Sequence, residues 1–300
     1  MKDNRFSAFK NSSCKEKHSF YKDFIKCILK DKVFVFSSLC LIFLFMFGLF
    51  YSIFASSEKH LAIDISKEFL KPSLSHLFGT NEFGQDMFYL VITGMFNTLC
   101  FAVSITLVNI LIGIIIGVLW GNSKKSDLFM IFVKGILDNI PMIFIYMIFI
   151  FYLGNSYKSL FLIIVLFGWI DISCLIRNNL IIIRNKEYNI YSKLNKTSLL
   201  KRALYNYLPS LFPVIFNYFA LSIPQAISIE VTISYLSFPI GESHSSLGKL
   251  LYSSIYANNC TAYPYLLIFP LLFLIIINLC IYLIGKSLSN HSVIGGDKKC

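Results

Sequence analysis

Apolar residues come in six long runs separated by short polar segments. Val33 to Ala55 holds 23 residues without a charge, and Met87 to Ser123 holds 37. The second run exceeds the roughly 20 residues that cross a bilayer, so part of it lies at the outer interface or extends beyond the bilayer. Further runs cover about 128–153, 159–183, 208–229 and 262–285. Pro209, Pro213 and Pro224 fall in or beside the fifth run, and Pro264 and Pro270 in the sixth. Each run reads as a membrane-crossing helix by length and hydropathy. The first is too long for a cleaved signal and shows no obvious small-residue cleavage site, so it reads as an anchor. The pattern predicts an all-α membrane protein with six transmembrane helices and both termini on one side.

Loop charge decides which side. Lys and Arg number nine in residues 1–32, two in 121–127, seven in 177–209 and three after 285. The alternate loops, 56–86, 154–158 and 230–261, hold five between them. Both termini are therefore expected in the cytosol. The chain divides into a basic cytosolic segment (1–32), a first span (33–55), an outer loop (56–86), a five-helix core (87–285) with an inner connector at 187–209, and a cytosolic tail (286–300).

Composition agrees. Charged residues make up 14% of the 300 and hydrophobic residues 56%, against about 25% charged in a soluble domain. Thirty Phe and 17 Tyr exclude a disordered chain. The net charge of +11 sits in loops between apolar runs, which argues against a nucleic-acid binder. Eight cysteines at 14, 27, 40, 100, 174, 260, 280 and 300 form no Cys-x-x-Cys, so no zinc or redox motif is expected. No His-Glu-x-x-His, nucleophile elbow or phosphate loop occurs. Gly248-Lys249 is followed by Leu250, so ATP chemistry is expected on another chain.

Ionisable residues within spans are the candidates for function. Lys134 and Asp138 stand four apart and share a helix face. Asp171 falls mid-span in the fourth run, Arg177 six residues on, and Glu230 near the outer end of the fifth. Two readings stand open. In one, Lys134 and Arg177 reach the inner headgroups while Asp138 and Asp171 make buried interhelix bonds. In the other, Asp138, Asp171 and Glu230 line a translocation path.

The connector reads EYNIYSKLNKTSLLKRALYNYLP over 187–209. Tyr188, Tyr191, Leu194 and Asn195 roughly share one helical face. A second amphipathic run follows over 198–207, with Leu199, Ala203 and Tyr207 four apart. Thr197-Ser198 suits a turn and N-cap, and Pro209 suits the first turn of the next helix. Two short basic, aromatic helices are predicted on the cytosolic face, either as a surface connector or as a docking element for a cytosolic partner.

Taken in order, these segments resemble the permease subunits of bacterial ABC importers for oligopeptides and dipeptides, specifically the second, C-type permease, over about residues 20–290. A basic amphipathic run from Tyr21 to Lys32 precedes the lone first span, like the family's leader. The outer loop carries HLFGTNEFGQD at 76–86, where Gly79, Thr80, Gly84 and Asp86 fit the family's Gly-Thr-Asp-x-x-Gly-Arg-Asp. Asn81 and Gln85 replace Asp and Arg, which removes any salt bridge between those positions. Asp127, fourteen residues before Pro141, fits the third-span pattern, and Trp169 with Arg177 fits Trp-x7-Arg. Glu187, Tyr188, Ser192, Leu208 and Pro209 fit the family's coupling loop. Tyr191 replaces an alanine there and Lys196 a glycine; if that glycine is left-handed, Lys196 costs about 1–2 kcal/mol or the turn has moved. Glu230, Ser234, Leu236 and Gly248 fit the pattern that follows the fifth span, with Ser237 and Pro239 replacing glycines and Leu247 a tryptophan.

The resemblance implies a type I importer permease fold in the bacterial cytoplasmic inner membrane. It implies a second permease, two cytosolic ATPases that bind ATP and magnesium, and an extracytoplasmic solute-binding protein. In that scheme Glu187, Tyr188, Tyr191, Ser192, Leu194, Lys196, Leu208 and Pro209 couple to an ATPase, and the chain has no catalytic residue, metal or cofactor of its own. Rival readings are a permease for another solute such as a nickel chelate, and a stand-alone secondary transporter with Lys134, Asp138 and Asp171 as ion relay. The latter often shows internal repeats, and none is visible.

Overall fold

A computed structural model describes residues 27–55, 62–195, 197–236, 245–256 and 259–294. Among these the chain is helical, with one isolated antiparallel bridge between Thr80 and Asp86. The helices are α1 (Lys32–Phe54), α2 (Met87–Asn122), α3 (Lys124–Leu137), α4 (Met142–Leu153), α5 (Tyr157–Arg184), α6 (Glu187–Leu194), α7 (Leu199–Arg202), α8 (Leu208–Tyr235), α9 (Leu247–Tyr256), α10 (Asn259–Ala262) and α11 (Tyr265–Ile294). A π turn, Ala203–Tyr207, joins α7 to α8. Among the described residues five helices are long and apolar enough to cross a membrane, and the spans number six if α3 and α4 count as one bent span.

That bent pair departs from the straight third span expected over 128–153. α3 and α4 meet at 85°. At 14 and 12 residues they are about 21 and 18 Å long, so neither crosses a core about 30 Å thick. The cause is local. Proline disfavours the helical conformation in the residue before it and offers no N–H, so Ile140-Pro141 stops the helix. The last turn closes through Asn139 N–H to Ile136 O and Ile140 N–H to Leu137 O, and Pro141 is extended. In contrast α8 runs unbroken through Pro213 and Pro224.

α2 is the central mast. It packs along α5 and also touches α1, α8, α9 and α11. The α2–α5 seam is built on Gly113, Gly117 and Gly121. A Cβ on Gly113 would fall on the Ile172 side chain, one on Gly117 would lie 2.8 Å from Ser173 O, and one on Gly121 2.8 Å from Leu180. Small residues four apart let two membrane helices approach to backbone distance. One core cluster gathers Met95, Leu99, Ile163, Ile227 and Leu247; another gathers Ile176, Leu180, Tyr207 and Leu211. α1 stays peripheral, with only Ser37 and Gly48 buried. Its N-cap Asp31 also accepts the Ser287 hydroxyl of α11, tying the first span to the last.

Candidate functional site

Residues 62–86 fold back onto the N-terminal end of α2. Thr80 is fully buried. Its hydroxyl donates to Lys67 O and accepts from Leu70 N–H at 2.8 Å, while the Tyr265 hydroxyl donates to Thr80 O at 3.2 Å. Asp86 caps α2 by accepting from Phe88 N–H at 2.8 Å and faces His76 Nδ1 at 3.1 Å. Gly79 and Gly84 have φ of 76° and 72°, where a side chain is strained, and a Cβ on Gly84 would fall on Asp64 O. Asn81 and Gln85, the two departures from the family pattern, bond each other: Asn81 Nδ2 donates to Gln85 Oε1 at 3.0 Å. Hydrogen bonds from Lys67 and Ser66 hold the Asp64 carboxyl down at about 2.

Below this loop, residues 245–248 are clasped to α2. The Thr93 and Ser245 hydroxyls meet at 2.9 Å, Asn97 Nδ2 donates to Ser245 O at 2.9 Å, and Leu247 N–H donates to Thr98 Oγ1 at 3.2 Å. The Thr98 hydroxyl in turn donates to Glu230 at 3.4 Å. Glu230 is therefore interior, with no exposed surface, and it does not join the two aspartates with which it was grouped by sequence. α9 wedges under the same clasp with Leu247, Leu250, Leu251 and Ser254 buried. Sequence reading left this stretch in an outer loop. The signal was its apolar spacing, since 247, 250, 251 and 254 lie on one helical face. Ser237 and Pro239 lie outside the described residues.

Charges pair across α3 and α5. Arg177 donates through Nε and Nη2 to the two oxygens of Asp127 at 2.7 and 2.6 Å, and Trp120 Nε1 adds 2.8 Å to Asp127 Oδ1. This fork holds both helices and the end of α2 together. Such bidentate pairs are among the stronger polar contacts. Lys134 Nζ donates to Asp138 Oδ1 at 2.9 Å and to Asp171 Oδ1 at 2.8 Å. The structure thus brings Lys134, Asp138 and Asp171 into one cluster, and engages Arg177 with Asp127 rather than leaving it to headgroups alone. Trp169 Nε1 donates to Leu166 O within α5.

At the C-terminal end of α5, α6 hangs from it. Buried Asn189 donates through Nδ2 to Ile183 O at 2.7 Å. The Ser192 and Thr197 hydroxyls meet at 2.7 Å and hold the turn; Ser198 caps α7. The second amphipathic run is not a separate surface helix. It continues through the π turn into α8, making one rod from Leu199 to Tyr235. Leu208 and Pro209 open α8, and Tyr207 just before them is buried against α5. With the roots buried, the apolar face points out: Tyr191 and Leu194 are 67% and 71% exposed, and Leu200, Leu204 and Tyr205 are exposed beside them. Glu187 and Tyr188 open α6, but their side chains, like Lys196, lie outside the described residues.

A bundle of apolar helices with a rooted connector whose apolar face is exposed is the build of a membrane transport subunit. Residues 109–291 match the family of binding-protein-dependent transport system inner membrane components, and the chain belongs to that family. Among its relatives, the oligopeptide transport system permease protein AmiD of Streptococcus pneumoniae is 29% identical over 92% of this chain and 90% of its own length. OppC of Lactococcus lactis, an oligopeptide transport system permease, is 27% identical over 86% and 89%. DppC of Bacillus subtilis, a dipeptide transport system permease, is 25% identical over 77% and 72%.

Proposed function

We propose that this chain forms one half of the passage of an ATP-driven importer of oligopeptides or dipeptides, crossing the inner membrane with both termini in the cytosol. A second permease completes the passage, two ATPases holding ATP and magnesium dock below, and a solute-binding protein delivers peptide from outside. The observation that carries this is the exposed aromatic and aliphatic face of α6 and α7 on a rooted cytosolic connector. Such a face is too apolar for a solvated loop, and aromatic residues favour interfaces. Lys193, Lys196 and Lys201 then meet acidic rim residues or headgroups. The relatives' peptide substrates give the solute class.

In the same scheme Asp138 and Asp171 face the passage. A charge at the middle of a spanning helix costs about 2.5–3.5 kcal/mol against lipid on insertion scales, so Asp171 turns toward protein or water, and Asp138 shares its surroundings through Lys134. Co-reconstituting the four kinds of chain in liposomes tests the whole reading. ATP-dependent uptake of a tripeptide is expected. Uptake of a nickel chelate instead, or peptide uptake driven by an ion gradient without the ATPases, overturns it.

Orientation has its own test. A membrane-impermeant thiol reagent on intact cells is expected to label Cys260 and to spare Cys14 and Cys300. Labelling of Cys14 or Cys300 in sealed cells reverses the topology.

A further inference from the structure

α3 ends against the middle of α5, and the contact leaves acceptors unused. Asp138 and Asp171 each give one oxygen to Lys134. The second oxygen of each has no partner among the described residues. Their side chains stay 58% and 70% exposed on this chain, against 22% for Lys134. One shared nitrogen holds the two carboxylates within about 6 Å of each other. The cluster keeps one net negative charge, since two carboxylates share one ammonium. Tyr146 of α4 is buried and within electrostatic reach of Asp171. Its hydroxyl has no hydrogen-bond partner among the described residues. Tyr218 of α8 feels both Asp171 and Lys134. Four helices thus converge on a polar spot that is anionic and half open.

We propose, resting on the reading that this face lines the passage, that the spot binds a protonated primary amine of the passing solute. An ammonium has three N–H donors and no acceptor. Asp138 and Asp171 offer two free carboxylate oxygens, and the Tyr146 hydroxyl offers the third acceptor. Lys134 acts as a spacer that fixes the two carboxylates and keeps them from closing on each other. The amine is a peptide's amino terminus or a lysine side chain.

Cys174 reports on the spot. It lies three residues from Asp171, on the same face of α5, and is partly exposed. In the assembled transporter, with the other seven cysteines as serine and uptake verified, Cys174 is treated with a cationic aminoethyl and an anionic sulfonatoethyl thiosulfonate. The cationic reagent is expected to react faster by on the order of tenfold, as Coulomb's law gives for one net charge a few ångströms away. Asp171→Asn and Asp138→Asn should each remove the preference, and Asp171→Glu should retain it. Trialanine, which has only an amino-terminal ammonium, and N-acetyl-lysine amide, which has only a side-chain ammonium, separate the two sources by which of them slows the cationic reagent. N-acetyl-trialanine, with neither, should not slow it. Protection by all three, or by none, overturns amine binding. If both reagents react with the same ratio before and after Asp171→Asn, amine recognition fails and the passage reading stands. If neither reagent reaches Cys174, a partner chain covers the face, and the passage reading falls with it.

Discussion

Replacing Tyr191 and Leu194 together by aspartate is expected to strip the ATPases from the purified transporter and abolish uptake while leaving the chain in the membrane. The two residues stand three apart on one face of α6, and both are largely exposed. Nothing in the chain's own core leans on them, because α6 is held by Asn189 and by the Ser192–Thr197 contact. The change therefore acts on binding and not on folding. Truncating central interface residues costs about 2 kcal/mol or more each, and burying a new carboxylate adds to that. Losing two contacts of that size weakens docking by a factor on the order of 10³. Co-purification of the ATPases and peptide uptake are the readouts. If the doubly substituted chain retains both, α6 is not the docking element.

Gly117→Leu is expected to leave almost no folded permease. Gly117 lies at the middle of the α2–α5 seam, where even a Cβ would come 2.8 Å from Ile176 and 2.8 Å from the backbone oxygen of Ser173. A backbone atom of a packed helix cannot rotate aside as a flexible side-chain end can. Overpacking a core costs about 1–3 kcal/mol when side chains can adjust. Here four extra carbons force the two helices apart and loosen Gly113 and Gly121 with them. The Asp127–Arg177 fork, which ties α5 to α3 and through Trp120 to the end of α2, loses its geometry as well. Gly117→Ala should give a smaller loss in the same direction. Thermal unfolding of the detergent-solubilised transporter and its yield from membranes report the effect. Wild-type yield and melting temperature for Gly117→Leu would show that the seam is not packed as described.

Much of this architecture was written in hydropathy, because crossing lipid demands long uncharged runs and little else does. The break in the third span was not, since the run over 128–153 is apolar on both sides of Pro141. Only Ile140-Pro141 carried the warning, and it was read as part of a family pattern. α9 was hidden for the opposite reason: ten residues are too few for a span, and its serines dilute the apolar stripe. The Asp127–Arg177 fork joins positions 50 residues apart, which no local spacing reveals. The glycine ladder at 113, 117 and 121 was in plain view as small residues four apart and had not been singled out. In the connector, amphipathy located the two runs and the Ser198 cap. Pro209 suggested a fresh start, which concealed that the second run and the fifth span are one rod.

That rod has a consequence of its own. A π turn holds one residue more than an α turn, which amounts to a phase shift of about 100°. Leu200, Leu204, Tyr207 and Leu211 would fall along one stripe of an uninterrupted helix. Instead the first two face outward, and the second two are sealed against α5. The extra residue lets one helix present an exposed apolar face at one end and a buried one to the bundle at the other, without either constraining the other's choice of side chains. No slack is introduced, because the backbone stays helical from Leu199 to Tyr235. A push or twist delivered at Leu200 is carried as by a crankshaft, offset in phase but rigid, to the far end where Glu230 meets the clasp on α2.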